Sequence, residues 1–394
     1  MELIKPTYVV IGASAAGLGA VTKLRELDPT ATIVCLTAES DIPCNRCLLS
    51  DLVAGSKTVE TIAAKPDRFF MEKNIFLMRN APVIDINPKR QTVRLKTGQT
   101  IAYDKLFLGT GRSGWIPAIP GAQSSGVFPF YSTKNARDIL TYIADHIIRH
   151  VTVVGAGLSG LECADALATR GLPVTIIEQA SHILPHQLNA EGAALLASLL
   201  QQKGVTIRTA CRVDEIGDEK NLVRSVTLSD GQTLETDMVI FALGGKINIE
   251  LAQIAGLTCY GNGIITTPTM QTSNPHIFAG GDVCVVKDLL TGNLVQSCTW
   301  PDAVLQGMTA AFNMTGGQRQ YEGVVIITSS TIANTTFVTC GPIANPSASY
   351  QQIVTQGDGF YHLRLEEHGV LKGFAMVGNV DNVGQLRREM MEGR

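Results

Sequence analysis

The sequence predicts an α/β fold with two similar parallel-sheet units and a small α+β domain at the C-terminal end. In the first supporting stretch, an apolar strand from Val151 leads into Gly155-Ala-Gly157-Leu-Ser-Gly160, then a helical pattern, then a second strand that ends on Glu178. A similar stretch occupies residues 8–39, and short strands dominate after residue 320. A strand, a glycine-rich turn, a helix and a second strand are typical of the Rossmann unit. Two Rossmann-like dinucleotide-binding domains are therefore predicted.

The glycines of the central stretch each have a physical role. Gly155 allows a tight turn, Gly157 lets the backbone approach a pyrophosphate, and Gly160 lets the helix pack closely on the strand. The N-terminus of the helix offers N–H groups and a positive dipole end to phosphates. Glu178, 18 residues after Gly160, is placed to accept hydrogen bonds from a ribose 2′-hydroxyl. Its carboxylate would repel a 2′-phosphate, so NAD is favoured over NADP.

The N-terminal stretch repeats this pattern with two departures. Ser14 stands where the second glycine between Gly12 and Gly17 is expected, and the second strand ends on Thr37 rather than on an acidic residue. Either Glu39, two residues further on, or the Thr37 hydroxyl would then contact the ribose. Two such units in one chain predict two dinucleotides, one of them a flavin.

A Cys-x-x-Cys pair, Cys44 and Cys47, follows the first unit's second strand. Leucine and valine spacing after Cys47 predicts a short helix that ends at Gly55. A position near a helix N-terminus and beside Arg46 favours the thiolate form of a cysteine. Three interpretations stay open: a redox pair beside a flavin, inert cysteines, or half of a metal site. Zinc and iron–sulfur sites usually need four ligands, so no metal is assigned.

The remainder of the chain extends the internal repeat. Each unit carries an insert of short alternating strands, then a strand that ends in glycines, at Leu108-Gly109-Thr110-Gly111 and at Leu243-Gly244-Gly245. A later strand ends in Gly280-Gly281-Asp282, where the carboxylate suits a polyol. A helix is predicted over about 133–148. In the C-terminal part we expect strands at 323–327, 336–338, 360–365 and 372–377 and a helix near 382–389.

Composition describes a globular protein. Apolar residues make up 45% and charged residues 17% of 394 residues, enough for a large core and for two or three domains of about 100–200 residues each. A net charge of −3 gives no basic footprint for nucleic acid. No apolar run approaches the roughly 18–20 residues that span a bilayer, and no signal-peptide pattern opens the sequence. Nine scattered cysteines do not suggest a secreted disulfide framework, so a cytoplasmic location is expected.

These motifs together resemble the pyridine nucleotide–disulfide oxidoreductases, flavoproteins with two dinucleotide-binding domains in the glutathione-reductase arrangement. The resemblance covers nearly the whole chain and rests on both glycine motifs, Glu178, Thr110-Gly111 and Gly280-Gly281-Asp282. Within the family, Asn45-Arg46-x-Leu-Leu-Ser50 and Trp300-x-x-Ala303-x-x-Gln306-Gly307 are most similar to NADH:rubredoxin reductases and to the flavin half of assimilatory nitrite reductase large subunits.

The resemblance implies FAD and NAD(H) as cofactors. Asp282 would lie on the ribityl chain of FAD, and Glu162 near the contact between nicotinamide and flavin. Together with Cys44 and Cys47, Glu162 forms the candidate catalytic set. The candidate cofactor-binding set is Gly12, Ser14, Ala15, Ala16, Gly17, Thr37, Glu39, Arg46, Thr110, Gly111, Arg112, Gly155, Gly157, Leu158, Ser159, Gly160, Glu178, Gly244, Gly245, Gly281 and Asp282.

By the same resemblance, the domains follow in four segments. Residues 1–112 and 246–320 form the two parts of an FAD-binding domain, 113–245 an NAD-binding domain, and 321–394 a C-terminal interface domain. Because this last domain often builds a dimer interface in the family, a homodimer is one expectation. The reverse direction, reduction of NAD by a partner subunit, would make the chain a subunit of a larger redox complex.

The implied function is transfer of a hydride between NAD(H) and FAD and of electrons between FAD and a redox protein, rubredoxin-like or iron–sulfur. The alternative is an oxidase, peroxidase or disulfide reductase, since Cys47 matches by its distance to Gly55 the single redox cysteine of NADH oxidases and coenzyme A disulfide reductases. Against it, His362 and His368 lack the spacing of a His–Glu acid/base pair. A third interpretation is a flavin-binding assembly or sensor subunit without useful turnover.

Overall fold

The computed structural model describes residues 6–392. The helices are α1 (Ala15–Leu27), α2 (Leu49–Ala54), α3 (Asp67–Glu72), α4 (Thr133–Asp145), α5 (Leu158–Thr169), α6 (Ala190–Gln202), α7 (Glu250–Ile254), α8 (Trp300–Met314) and α9 (Val383–Glu392). The first strands are β1 (Thr7–Ile11), β2 (Thr32–Leu36), β3 (Phe76–Met78), β4 (Val83–Asn87), β5 (Thr92–Leu95), β6 (Thr100–Ala102), β7 (Lys105–Leu108), β8 (Arg112–Gly114) and β9 (Val127–Pro129).

The strands of the middle of the chain are β10 (Val151–Val154), β11 (Val174–Ile177), β12 (Thr206–Arg208), β13 (Val213–Glu219), β14 (Leu222–Leu228), β15 (Thr233–Glu235), β16 (Met238–Phe241), β17 (Gly245–Ile247), β18 (Cys259–Tyr260), β19 (Gly263–Ile265), β20 (Ile277–Ala279), β21 (Cys284–Lys287) and β22 (Leu294–Val295). The last strands are β23 (Ile327–Ile332), β24 (Thr335–Cys340), β25 (Gln351–Gly357), β26 (Phe360–Glu367) and β27 (Val370–Val377).

The described chain forms two compact units. The first comprises the chain up to Cys47 with Val59–Ser113 and Lys246–Val324, and the second comprises Leu48–Thr58, Gly114–Gly245 and the chain from Val325. The short helix after the Cys-x-x-Cys pair therefore belongs to the second unit. The four-segment domain assignment stays a prediction.

The first unit is organised around a parallel sheet with the order β20-β7-β1-β2-β3. Ile11 lies opposite Leu108, which in turn lies opposite Ala279. The glycine after each of these residues therefore opens a loop at the same, carboxyl edge of the sheet, where doubly wound folds bind ligands. Helices α1 and α8 pack against each other in this unit, and the antiparallel sheet β4-β5-β6 is the predicted insert.

The second unit contains a parallel sheet with the order β12-β11-β10-β16-β9. Val154 lies opposite both Ile177 and Phe241, so Gly155 and Glu178 follow at one edge. Strands β10, β11 and β16 are buried along their whole length, as expected for parallel strands covered on both faces. The sheet β13-β14-β15 shares a buried apolar cluster with these strands.

An antiparallel sheet with the order β23-β24-β27-β26-β25 forms the C-terminal part of the second unit. Helix α9 packs against β27, and β26 and β27 pack against α6. Asn189, the N-cap of α6, donates its side-chain N–H to Tyr361 Oη at 2.6 Å. These contacts attach the C-terminal sheet to the parallel-sheet part of its unit.

The predicted fold class is confirmed, and the differences concern individual elements. Helix α4 ends at Asp145 instead of residue 148, because His146 is already extended. The predicted strand at 323–327 is wrong: Gly323 has φ +134°, and a Cβ there would lie 2.4 Å from the Lys287 carbonyl oxygen, so the chain turns there and β23 begins at Ile327. No helix within residues 6–392 is both long and apolar enough to cross a membrane.

Two further strands carry no signal in the sequence. Strand β25 is exposed on both faces and rich in glutamine, and β13 carries four acidic residues. Neither has the apolar alternation that reveals a half-buried strand. Pairing with β26 and with β14 decides their conformation.

Candidate functional site

The glycine-rich loop of the first unit brings the start of α1 against the sheet. A Cβ on Gly12, where φ is +104°, would lie 2.0 Å from the Gly109 carbonyl oxygen. A Cβ on Gly17 would lie 1.7 Å from the Gly12 carbonyl oxygen. Among the described residues, neither a hydrogen bond from the Ser14 side chain nor an acidic residue in the first turn serves the N-terminus of α1. Its N–H groups and dipole are therefore suited to an anion such as a pyrophosphate.

The equivalent loop of the second unit also brings its helix close to the glycine-rich turn, and it leaves an open space beside Gly157. A Cβ on Gly160 would lie 1.9 Å from the Gly155 carbonyl oxygen, so only glycine allows this approach. Gly157 is the N-cap of α5, with φ −72°, and a Cβ there would meet no described atom within 4 Å. The space in front of α5 thus matches what a pyrophosphate requires.

Glu178 lies at the carboxyl edge of β11 and is 8% exposed. Its carboxylate accepts hydrogen bonds from the Ala156 N–H at 2.7 Å and from the Ala180 N–H at 2.8 Å. Glu178 therefore holds the glycine-rich loop in place, a role that the sequence did not reveal. Each carboxylate oxygen has a second lone pair, so a ribose hydroxyl can still donate to it.

Asp282 and Arg112 lie together in the first unit. Arg112 Nε is 3.8 Å from Asp282 Oδ2, and Arg112 Nη2 donates to Gln296 Oε1 at 3.1 Å and to the Cys298 sulfur. Burial raises the pKa of Asp282, while Arg112 and Arg46 lower it. Desolvation and the Asp282 carboxylate raise the pKa of the Cys298 thiol, although Arg112 lowers it and the residue is exposed.

Sequence reasoning missed Gln296 and Cys298, because they reach Arg112 across 184 and 186 residues of chain. Nothing in their local pattern marks either position. Asn248 was missed for the same reason: its backbone oxygen accepts from Thr110 Oγ1 at 2.8 Å, and its side chain donates to the Thr110 carbonyl oxygen at 2.9 Å.

The candidate ribose-binding residues of the first unit, Thr37 and Glu39, also meet other candidate cofactor-binding residues. Arg46 Nη2 donates to the Glu39 carboxylate, and Arg46 Nη1 lies 3.4 Å from the Arg112 carbonyl oxygen. The Glu39 N–H donates to Thr37 Oγ1 at 3.2 Å. The structure therefore brings Thr37, Glu39, Arg46 and Arg112 into one connected group. Whether Glu39 or Thr37 contacts a ribose stays a prediction.

Cys44 and Cys47 have different surroundings. Cys44 is buried, and its thiol donates to the Ile42 carbonyl oxygen at 3.1 Å. Cys47 is exposed and lies in a short 3₁₀ turn, Arg46–Leu48, that runs directly into α2. The predicted helix is confirmed, including its end at Gly55, and the structure shows that Gly55 is left-handed. A reagent in solution can therefore reach Cys47 more readily than Cys44.

Glu162 lies on α5 and is hydrogen bonded to the C-terminal sheet. Its Oε1 accepts from Ser330 Oγ at 2.6 Å, and three residues further along α5 Asp165 accepts from the Ala333 N–H at 3.0 Å. Burial raises the pKa of Glu162, Ser330 lowers it, and the nearby Asp51 raises it. Ser330 is 168 residues away in the chain, so no spacing in the sequence points to it.

Replacement of Glu162 by glutamine should make stability less dependent on pH. Because the native pKa of this carboxyl is raised, its contribution to stability is complete below the unfolded pKa of about 4.3 and is lost as pH rises through the native pKa. Glutamine still accepts from Ser330 but does not ionise. Thermal unfolding between about pH 4 and about pH 8 should show Glu162→Gln gaining stability over the wild type as pH rises.

The exposed Glu235 supplies the control for that experiment. Glu235→Gln removes a carboxylate from the same unit without touching a buried group. If Glu162→Gln and the wild type unfold with a constant difference at every pH, the described burial of Glu162 does not control its ionisation.

Comparison with known proteins gives a consistent result. The family described as pyridine nucleotide-disulphide oxidoreductase matches residues 6–307. An NADH oxidase of Methanocaldococcus jannaschii is 34% identical over 324 residues, 80% of this chain and 72% of that protein. A rubredoxin-NAD(+) reductase of Pseudomonas putida is 31% identical over 309 residues, 78% of this chain and 80% of that protein. A solved NAD-dependent persulfide reductase from A. fulgidus is similar with a TM-score of 0.92 and 27% identity, over 98% of this chain and 77% of that one.

These similarities confirm the predicted family and the predicted class of enzyme. The glycine-rich loops, the open helix N-termini and the edge position of Glu178 and Asp282 fit the two dinucleotides that the family uses, FAD and a nicotinamide adenine dinucleotide. The chain belongs to the pyridine nucleotide-disulphide oxidoreductase family and is an NADH-dependent flavoprotein oxidoreductase.

Proposed function

We propose that this enzyme oxidises NADH and delivers the electrons to a redox protein of the rubredoxin or iron–sulfur class. The observation that carries the proposal is the state of the C-terminal histidines, the expected acid/base groups of a thiol enzyme. His362 Nε2 is hydrogen bonded to the Asn379 carbonyl oxygen at 2.6 Å, and His368 lies in the exposed turn between β26 and β27. A protein acceptor is further supported by the similarity to a rubredoxin-NAD(+) reductase.

In this proposal the first unit holds FAD. The loop from Gly12 to Gly17, with Ser14, Ala15 and Ala16, would place the N-terminus of α1 against its pyrophosphate. Asp282 and its neighbour Arg112 would bind the ribityl side, and Thr110, Gly111 and Gly281 line the same carboxyl edge of the sheet. When bound, FAD supplies the conversion between hydride transfer and single-electron transfer.

The second unit would hold NADH. Gly155, Gly157 and Gly160, with Leu158 and Ser159 in the first turn of α5, would bind the pyrophosphate, and Gly244 and Gly245 follow β16 at the same edge. Glu178 would accept from the ribose hydroxyls. A carboxylate at this position repels a 2′-phosphate, and residues 179–181 provide no Arg or Lys to bind one, so we expect NADH to be preferred over NADPH.

A second candidate function uses the thiols. Cys47 is exposed next to α2, as a reacting cysteine would be, and one relative is named an NADH oxidase and one similar structure a persulfide reductase. This alternative predicts a second redox centre beside FAD. A third, an assembly or sensor subunit, predicts cofactor binding with negligible turnover.

An anaerobic NADH titration of the holoenzyme, followed by absorbance, separates these functions. We expect about one equivalent of NADH to bleach the flavin fully, because FAD accepts one hydride. The double variant Cys44→Ser/Cys47→Ser should give the same titration and keep most of its NADH-dependent reduction of a one-electron acceptor such as ferricyanide. Cys259→Ser, in the same unit, is the matched control.

Two results would contradict the proposal. A need for about two equivalents, or a long-wavelength charge-transfer band that the double variant lacks, would assign the redox chemistry to the cysteines. Full bleaching without turnover of any acceptor would favour the sensor subunit. A cytoplasmic location, and a homodimer or a larger complex, stay predictions.

A further inference from the structure

A series of buried polar side chains lies behind the Gly280-Gly281-Asp282 turn of the first unit. Gln306 on α8 is 0% exposed, and its Oε1 accepts a hydrogen bond from the Gly281 N–H at 2.8 Å. Its Nε2 lies 3.5 Å from Tyr321 Oη and 3.4 Å from Ser297 Oγ. Ser297 and Tyr321 are also buried. The Gly281 turn is thus supported by side chains from α8 and from the segments directly before and after it.

Asp302 determines which atoms of this series donate hydrogen bonds and which accept them. Tyr321 Oη donates to Asp302 Oδ1 at 3.1 Å, and Thr299 Oγ1 donates to Asp302 Oδ2 at 2.6 Å. Burial and the Asp302 carboxylate raise the pKa of Tyr321, so its hydroxyl keeps its proton and remains the donor. Because the Tyr321 hydroxyl uses its only proton in the hydrogen bond to Asp302, Tyr321 Oη can only accept a hydrogen bond from Gln306 Nε2.

The consequence is a single orientation of the Gln306 amide. Its nitrogen must face the acceptors Tyr321 Oη and Ser297 Oγ, so its oxygen faces the Gly281 N–H. The reversed amide would place an NH₂ group against that N–H. The hydrogen bonds therefore run one way, from Gly281 towards Asp302.

Gly281 needs this support because its backbone is unusual. Its φ of +81° lies in the left-handed region, and a Cβ there would come 3.0 Å from Ala16 Cβ in the first turn of α1. Gly307, next to Gln306, lets α8 approach closely, since a Cβ at Gly307 would lie 2.0 Å from the Ala16 carbonyl oxygen. Helix α8 therefore supports both loops to which we assign FAD.

We propose that Tyr321, oriented by Asp302, is a positioning residue for FAD binding. It fixes the Gln306 amide, and through it the Gly281 turn that carries Asp282. This inference rests on the proposed binding of FAD by the first unit. No pattern in the sequence indicates this role, since the change of pattern near residue 321 suggested the start of a separate domain.

The test is the release of FAD from the holoenzyme, followed by the fluorescence of free FAD on serial dilution. Tyr321→Phe keeps the ring but removes the acceptor for Gln306, so we expect the dissociation constant of FAD to rise about tenfold, as for one lost hydrogen bond. Asp302→Asn should also raise the dissociation constant, because its amide can donate to Tyr321 Oη. The orientation of the Tyr321 hydroxyl, and with it that of the Gln306 amide, is then no longer fixed. The control is Tyr260→Phe, at an exposed tyrosine of the same unit, which should leave FAD release unchanged.

Thermal unfolding and the visible flavin spectrum complete the design. If Tyr321→Phe and Asp302→Asn lower the melting temperature but leave the FAD dissociation constant and spectrum unchanged, the two residues are merely structural and the inference is overturned. Asp282→Asn distinguishes failure of the positioning role from failure of the FAD site itself. If it weakens FAD binding and Tyr321→Phe does not, the FAD site stands and the positioning role fails; if it has no effect, the FAD site itself is wrong.

Discussion

Gly157→Ala should raise the KM for NADH roughly tenfold or more while leaving the fold of the enzyme intact. With φ at −72°, this position accepts any residue, and its Cβ would meet no described atom within 4 Å. The added methyl group would instead enter the space in front of α5, where we propose that the pyrophosphate binds. Steady-state kinetics should show the change in KM, and thermal unfolding should show a loss of less than about 1 kcal/mol, the cost of alanine as an N-cap.

Gly160→Ala is the matched comparison, in which stability and not the approach of the nucleotide should be affected first. Its Cβ would lie 1.9 Å from the Gly155 carbonyl oxygen, so the helix must move away from the strand. We expect a loss of about 1–3 kcal/mol of stability, with weaker NADH binding as a consequence. An unchanged KM in a folded Gly157→Ala enzyme would show that the nucleotide does not approach this helix end.

Glu178→Ala should damage both stability and nucleotide binding. Its carboxylate is the acceptor for the buried Ala156 N–H and the partly buried Ala180 N–H, so removal leaves both donors without it, at about 1–3 kcal/mol for the buried one. The melting temperature should fall, and the KM for NADH should rise because the glycine-rich loop is no longer held. Denaturant unfolding of the holoenzyme measures the first effect and kinetics the second.

Glu178→Gln separates charge from hydrogen bonding. One amide oxygen still accepts, whereas the NH₂ group faces an N–H, so the loss of stability should be smaller than for alanine. Discrimination against NADPH should also decrease, because the repelling charge is gone. Glu235→Ala, at an exposed position, controls for the loss of a carboxylate. If Glu178→Gln keeps the same ratio of NADH to NADPH activity, the cofactor choice is made elsewhere.

The sequence predicted the features that depend on neighbours in the chain. A turn that admits only glycine is encoded locally, so Gly12 and Gly155 could be recognised, and the structure shows the close approach behind each one. The buried strands β10 and β11 could be read from continuous Val and Ile. Because parallel strands end at one edge, the location of Glu178 also followed from the order of the strands.

Only the tertiary structure decided the partners of the site residues. Ser330 reaches Glu162 and Cys298 reaches Arg112 across 168 and 186 residues, and Tyr321 supports Gly281 through Gln306. Such contacts arise when separate elements pack, and the polar residues that make them follow no helical or strand period. Local sterics and periodicity depend on adjacent residues, and therefore the sequence by itself determined the two dinucleotide-binding units. Hydrogen bonds between distant segments depend on packing, and therefore only the tertiary structure decided which contacts hold the site residues of each unit in place.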